Sequence, residues 1–383
     1  MTPGARAAAA IAVLDRHLAG EPVERALTNW GRASRFAGSG DRAAVRDLVF
    51  DALRCKRSHA ALGGAMTGRG LILGGVRASG GDEAALFTGE GHAPAKVAPN
   101  ETGRAPVGAA ALDVPDWLLP ALEASLGDAT GPVLHALQSR APVFLRVNLR
   151  KTTPAQALAR LAGEEIEAKP HPLATTALEV TGNARKIQTS ESFLTGLVEL
   201  QDASSQAVVE ALPLREGMRV LDHCAGGGGK TLAMAGQARI TIWAHDANPR
   251  RMADLPARAQ RAGVSVALTE APETLAPFDL VLVDAPCSGS GSWRRDPEGK
   301  WALTEARLAE VVTVQAEILA RAARMVGPGG TLAYATCSLL AQENEGQINA
   351  FVAAHPGWTL GLMQRFLPTR GGDGFFVALL TRA

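Results

Sequence analysis

Several things are scarce in this sequence, and each scarcity excludes something. No apolar run approaches the ~20 residues a membrane-spanning helix requires, so a helical membrane protein is excluded. There are four cysteines in 383 residues. None stands in C-x-x-C spacing, which removes the commonest zinc pattern, and no metal is expected. Neither sign of charge dominates: 39 Lys and Arg face 38 Asp and Glu, for a net charge of +1. Any grip on nucleic acid therefore has to be local rather than a property of the whole surface. Aromatic residues make up only 4% of the chain, a compositional bias toward Ala and Gly rather than a functional signal. No internal repeat is visible. What is abundant is apolar content, 46%, enough for sizeable cores in two or three domains. The run "AAAAIAVL" near the start resembles a signal peptide. Asp15, Arg16 and His17 follow it at once, however, and Ile11, Leu14 and Leu18 share one helical face. An amphipathic helix and a cytoplasmic protein are the expectation.

The pattern changes along the chain. Residues 1–135 read as helical. The stretch "DRAAVRDLVFDALRCKRSHAAL" carries Asp41 as a candidate N-cap and Val45, Leu48, Val49 and Leu53 at helical spacing. Arg54, Lys56 and Arg57 cluster near its end, as a solvated helix terminus or an RNA contact. Residues 80–110 are rich in Gly, Pro and small polar residues. "VPDWLLPALEASLG" reads as a helix start with Pro115 in its first turn. From about residue 140, "PVFLRVNL" alternates as a strand and "TPAQALARLAGE" as a helix. From 205 onward strands and helices alternate, with strands expected at 219–222, 241–246, 265–268, 278–284 and 330–336 and two more in "WTLGLM" and "GFFVALLTR".

Between the first two of those strands lies "HCAGGGGKT", residues 223–231. A triphosphate-binding loop needs its first Gly where Cys224 stands. A dinucleotide fingerprint started from Gly226 and Gly228 needs its third Gly where Thr231 stands. Both patterns miss at one position. "MRVLD" before the loop reads as a buried strand and "KTLAMAGQA" after it as a helix, the opening unit of a doubly wound sheet. Such a unit calls for an acid about 20 residues further on, for ribose hydroxyls. "TIWAHD" supplies Asp246. A ribose-bearing cofactor follows, and the loop alone does not say which.

Two further strand ends carry chemistry. "FDLVLVDAPCSGSG" delivers Asp284, Pro286 and Cys287, and "GGTLAYATCS" delivers Thr336, Cys337 and Ser338. In open α/β sheets ligands bind beyond the carboxyl ends of strands, so both cysteines should face the site that the glycine loop serves. A lone cysteine is ordinarily a small core residue. Two beside an aspartate at one site suggest covalent addition to an electron-poor ring. A thiolate adds to C6 of a pyrimidine, C5 becomes nucleophilic and takes an electrophile, and a base then removes the C5 proton so that the thiol can leave. Asp284 could hydrogen-bond the ring N3 or the exocyclic amine and stabilise the charge that develops on addition.

Taken together, "LQDASSQAV", "LDHCAGGGGKT", "HDANPRRM", "VDAPCSGSGSWRRDPEGKW", "YATCSLLAQENE" and "GDGFF" resemble the RNA (cytosine-5) methyltransferases of the NOL1/NOP2/Sun group. "DLVFDALR", "VPDWL" and "RAPVFLRVNL" resemble its bacterial Sun/Fmu branch. The resemblance implies an α/β fold: a Rossmann-like S-adenosylmethionine-dependent methyltransferase domain over 205–383. This is preceded by an all-α NusB-like RNA-binding domain over 1–135 and a small α/β RRM-like module over 140–204. It implies S-adenosylmethionine as cofactor and a cytosine of 16S ribosomal RNA, free or in an assembling small subunit, as substrate. By motif, Cys337 is the nucleophile and Cys287 assists product release, with Asp284 and Lys230 in the active site. The cofactor set is Cys224, Ala225, Gly226, Gly227, Gly228, Gly229 and Lys230 through the loop, with Asp246 for the ribose, Arg251, Asp284, and Glu270 near the adenine. Two positions depart from the family pattern: Glu270 stands where Asp is usual and Gly227 where Pro is usual, the latter giving a looser loop. Arg294, Arg295 and Lys300 are read as meeting RNA phosphates. Trp293 and Trp301 read as core, His223 and His245 as structural neighbours of the loop, and Cys224 as packing. Asn148 is given no role. Nothing calls for more than a monomer. Two other classes use a similar sheet: a nicotinamide-dependent dehydrogenase, and a non-enzymatic RNA-binding assembly or antitermination factor. The missing third glycine argues against the first, and the paired cysteines argue against both.

Overall fold

The computed structural model describes all residues, Met1–Ala383. They form two compact units, one comprising Met1–Arg140 with Trp293–Ala302, the other Ala141–Ser292 with Leu303–Ala383. The excursion Trp293–Ala302, expected within the Rossmann-like domain, thus groups with the helical residues.

The first unit is helical, built on α1 (Pro3–Leu18), α2 (Val23–Ala33), α3 (Ser39–Arg54), α4 (Lys56–Gly63) and α5 (Gly68–Ala78). The Thr2 hydroxyl caps α1 by accepting from the Ala5 N–H at 3.2 Å, with Pro3 in the first turn. Its buried stripe of Ala7, Ala10, Val13 and Leu14 packs with Val45, Val49 and Leu53 of α3 and Leu71 and Leu73 of α5. Two local expectations are corrected. Asp41 is not a helix cap, because α3 already begins at Ser39. Its carboxylate instead accepts from the Met1 ammonium at 3.2 Å and the Arg6 guanidinium at 2.9 Å. The single helix expected over 41–62 breaks at Cys55, and a remote carboxylate explains why. Asp113, fully buried, accepts from the first free N–H groups of α4, Arg57 at 2.8 Å and Ser58 at 2.9 Å. That cap satisfies donors that a continuous helix would have bonded internally. The glycine-rich stretch near residue 100 has little regular structure but is tied down: Glu101 accepts from Arg69 at 2.5 and 2.8 Å.

The second unit holds two sheets. The smaller has β1 (Val143–Val147), β2 (Glu167–Pro170), β3 (Ala177–Gly182) and β4 (Val198–Leu200), in the order β2-β3-β1-β4 and antiparallel throughout. Its helix Pro154–Gly163 starts at a complete capping box between Thr153 and Gln156. The larger sheet has β5 (Arg219–Asp222), β6 (Thr241–Ala244), β7 (Ala267–Leu268), β8 (Phe278–Asp284), β9 (Val326–Thr336), β10 (Trp358–Phe366) and β11 (Phe375–Arg382), in the order β10-β11-β9-β8-β5-β6-β7. Strands β5 to β9 are parallel, and β10 and β11 extend the β9 edge antiparallel. Both faces are covered. Val220, Leu280 and Leu282 pack with Val208 and Met234 on one side, and Leu221, Val281 and Val283 with Leu319 and Ala322 on the other. That two-sided burial is why "FDLVLVD" reads as a continuous apolar run. The chain winds outward from β5 to β7, then returns to place β8 on the other side of β5. The β5/β8 seam is therefore the switch point where a ligand crevice opens. No helix is long and apolar enough to cross a membrane.

Candidate active site

A cleft of about 750 Å³ lies at the carboxyl ends of β5, β6, β8 and β9. It is lined by Cys224, Ala225, Gly226, Gly227, Gly229 and Lys230 after β5, by Asp246, Asn248 and Arg251 after β6, by Asp284 to Cys287 after β8, and by Cys337 after β9. Gly228 lies behind the lining. It has φ +80°, and a Cβ there would come within 2.3 Å of Leu255 Cδ1, so only glycine lets this turn close.

The two sulfurs meet. Cys287 Sγ and Cys337 Sγ are 3.4 Å apart, and the Ser292 hydroxyl donates to Cys337 Sγ at 3.9 Å. At that separation one thiol can donate a hydrogen bond to the other. The hydrogen bond from Cys287 holds Cys337 below the ordinary thiol range, although its burial opposes this, and Lys230 adds in the same direction. Cys287 is raised, first by that same bond and then by burial. The two shifts run in opposite directions, Cys337 down and Cys287 up. Cys224 is different in kind: burial pushes its thiol far up, so it is inert packing at the base of the loop.

Lys230 stands in the first turn of the helix Gly229–Gln237 and is 7% exposed. Its ammonium donates to Asp284 Oδ2 at 2.7 Å and lies 4.8 Å from the centre of the Phe375 ring. Burial opposes its charge, but the Asp284 carboxylate outweighs that and holds the lysine above its ordinary range. Asp246, 4% exposed, accepts from the N–H of Gly226 and of Asn248, each at 2.9 Å, and pairs with Arg251 at 3.2 Å. Asp222, at the foot of the loop, is fully buried. Its Oδ2 accepts from Thr231 at 2.6 Å while Oδ1 has no partner, and burial pushes its carboxyl up to about 7.

Comparison with known proteins supplies the name of this arrangement. Residues 209–381 match the family described as "16S rRNA methyltransferase RsmB/F", and residues 114–187 match the ferredoxin-like domain of RsmF/B-like methyltransferases. The chain belongs to the RsmB/F family. A relative in Yersinia pestis, "Ribosomal RNA small subunit methyltransferase B", is 34% identical over 284 residues, covering 70% of this chain and 66% of its own length. The match therefore spans just under two thirds of that relative. The crystal structure of PH0851 superposes on 99% of both chains with a TM-score of 0.77 at 24% identity. That of a methyltransferase homolog from Pyrococcus horikoshii covers 71% of this chain and 96% of its own, with a TM-score of 0.63 at 26% identity.

S-adenosylmethionine, the cofactor expected from the motifs, is the methyl donor of the RsmB/F family, and the cleft suits it. The donor has a ribose diol, which needs acceptors, and Asp246 places a buried carboxylate at the cleft wall. Its amino-acid end carries an ammonium group, and the unpartnered Asp222 Oδ1 leaves an acceptor at the foot of the loop. The loop is also anchored. Arg258 donates to the Gly227 carbonyl, and Arg146 of β1 donates to the Gly229 carbonyl at 2.8 Å. These bonds offset the freedom that glycine at 227 brings.

Not every residue expected at the site is there. Glu270 is exposed beyond β7 and is not among the residues that line the cleft. Arg294 and Lys300 were expected on a solvated RNA-facing loop. They are 3% and 2% exposed, inside the helical unit. The Arg294 carbonyl accepts from Arg54 Nε at 2.7 Å, and Lys300 Nζ donates to the Arg54 carbonyl at 2.8 Å. Their role is to tie Trp293–Ala302 to α3, where Trp301 also donates to the Leu53 carbonyl at 2.7 Å. Arg295 alone of the three is exposed. Sequence reasoning missed Gln201, Ser205 and Asn248, which line the cleft, and the loop anchor Arg146. "LQDASSQAV" pointed at the first two without giving them work. Asn148 acquires a role: its amide donates to the carbonyls of Gly196 at 2.9 Å and Ala262 at 2.8 Å.

Proposed function

We propose that this chain methylates C5 of a cytosine in 16S ribosomal RNA by way of a covalent bond between Cys337 and C6. The observation that carries the reading is the Cys287–Cys337 pair, 3.4 Å apart on the wall of a cleft that also holds the Lys230–Asp284 ion pair. The Cys337 thiolate adds to C6, and Asp284, held by Lys230, stabilises the ring charge through N3 or the exocyclic amine. Residues 224–230 and Asp246 would hold S-adenosylmethionine, which would supply an electrophilic methyl group for C5. Loss of the C5 proton to a base then expels Cys337. Cys287, which keeps its proton beside Cys337, assists that release. The base has to leave the RNA stack to reach the cleft, which costs a few kcal/mol and favours an unpaired cytosine. The substrate is the free RNA or an assembling small subunit, met in the cytoplasm by a monomer, with Arg295 as an exposed cation placed to meet phosphate.

The test is label transfer from radiolabelled S-adenosylmethionine to unmodified small-subunit RNA, with bisulfite sequencing to locate the product. Transfer to a single cytosine is expected. Stoichiometric RNA binding without transfer would favour a binding factor on a vestigial catalytic fold.

A further inference from the structure

We propose that the facing sulfurs of Cys287 and Cys337 are an oxidative modification site, at which a peroxide closes a reversible disulfide that switches the cleft off. Bridge formation depends on the pair alone; its effect on methyl transfer rests on the proposed Cys337–C6 adduct.

The sulfurs are 3.4 Å apart, and both cysteines line the open cleft, so each is within reach of a small solute and of the other. A disulfide bond is about 2.0 Å long, so each sulfur has to move by less than about 1 Å. The pair is also held together from behind. β8 and β9 are parallel neighbours with Asp284 opposite Ala335, which brings the loops at their carboxyl ends side by side. The Gly291 N–H donates to the Cys337 carbonyl at 2.9 Å, and the Leu339 N–H donates to Ser290 Oγ at 2.8 Å. Glu343, fully buried, clasps both loops. Its carboxylate accepts the Ser288 N–H at 2.7 Å and the hydroxyls of Ser288 and Ser338, the residues directly after the two cysteines. Neither loop can carry its sulfur away without breaking these bonds, so each thiol meets the other at high effective concentration.

The other two cysteines lack this arrangement. Cys55 Sγ donates to the Gln138 carbonyl at 3.5 Å, and Cys224 is packed at the base of the glycine loop. Neither shares a hydrogen bond with another sulfur.

The chemistry balances with a peroxide as oxidant. One sulfur, as thiolate, attacks a peroxide oxygen. The O–O bond breaks, leaving a sulfenic acid and a hydroxide that takes up the proton the thiol released. The second sulfur then attacks the sulfenic sulfur. The S–S bond forms, the S–O bond breaks, and a second water leaves with the remaining thiol proton. The two thiols lose two electrons, and one hydrogen peroxide becomes two waters. A thiol reductant reverses the bridge by exchange. While it is closed, Cys337 has no thiolate to add to C6.

The test treats the reduced full chain with hydrogen peroxide, blocks the remaining thiols with N-ethylmaleimide in denaturant, and maps the unreduced peptides by mass. A Cys287–Cys337 peptide should be the main product, with Cys55 and Cys224 carrying the blocking group. Methyl transfer assayed in parallel should fall at least about tenfold and return to within about twofold after dithiothreitol. Four blocked thiols overturn the proposal. So does Cys337 driven to sulfinic acid without a bridge, or a bridge that involves Cys55, Cys224 or a second chain. A bridged chain that still methylates overturns the switch. Bridge formation needs neither RNA nor methyl donor. A chain that bridges but in its reduced form never methylates refutes the methyl-transfer reading alone. A chain that methylates without ever bridging refutes the modification site alone.

Discussion

The second unit buries Lys230 and the helical unit buries Lys300, each with its ammonium against one oxygen and an aromatic ring. Lys230 donates to a carboxylate, Asp284, at 2.7 Å and faces Phe375 at 4.8 Å. Lys300 donates to a carbonyl, that of Arg54, at 2.8 Å and faces Trp301 at 4.6 Å. The geometry is nearly the same, but the electrostatics are opposite. The carboxylate overrides burial and fixes Lys230 as a cation, whereas burial pulls Lys300 down to about 8. A full countercharge keeps a buried lysine ionised, and a backbone dipole with a ring face does not fully compensate. In the proposed reaction the first would serve a developing anion. The second holds two segments of chain together.

The comparison can be broken by substitution. Lys230→Ala should lower methyl transfer by at least about a hundredfold, because it removes the cation that holds Asp284. Lys300→Met should leave the rate within a few-fold of wild type. A comparable loss of rate in both would mean that the two lysines share one role. Lys300→Met should instead alter the pH dependence of stability. The folded pKa of Lys300, about 8, lies below its ordinary 10.5. Between those values the unfolded chain binds the extra proton, so wild-type stability gains with rising pH, and below about pH 8 the full penalty, roughly 3 kcal/mol, is carried. The wild-type minus K300M difference in unfolding free energy, from denaturant titrations, should therefore rise from about pH 8 to 10.5. A flat difference would show that Lys300 is not strained by burial. The smallest effect is expected at the loop. Gly227 is not among the positive-φ glycines, so Gly227→Pro should stabilise the chain by about 0.5 kcal/mol and tighten S-adenosylmethionine binding slightly, read by thermal shift and calorimetry. Destabilisation would mean that the Arg258 contact at this carbonyl depends on glycine.

Most of the catalytic sheet was readable because its signals are local. β5 and β8 fall on the stretches marked by their apolar runs, and the pair Cys287–Cys337 follows from the rule that ligands gather at strand ends. β9 is longer at its start than its pattern suggested: Val326 already pairs with Phe278, and the register shifts before Thr331 meets Leu280. What stayed hidden depends on partners far along the chain. Lys300 and Arg294 looked like a solvated basic loop because their partner, Arg54, lies 240 residues before Arg294. The break at Cys55 depends on Asp113, and the clasp at Glu343 on Ser288, 55 residues away. Glu270, matched by motif, carries an exposed side chain outside the cleft lining.

The division of labour between the two sulfurs is tested most directly by mixing Cys287→Ala with 16S RNA and S-adenosylmethionine and running the product on a denaturing gel. A protein–RNA band that survives denaturation, absent with Cys337→Ala, is the predicted result. The same band from Cys337→Ala, or full methylation by that variant, would contradict it.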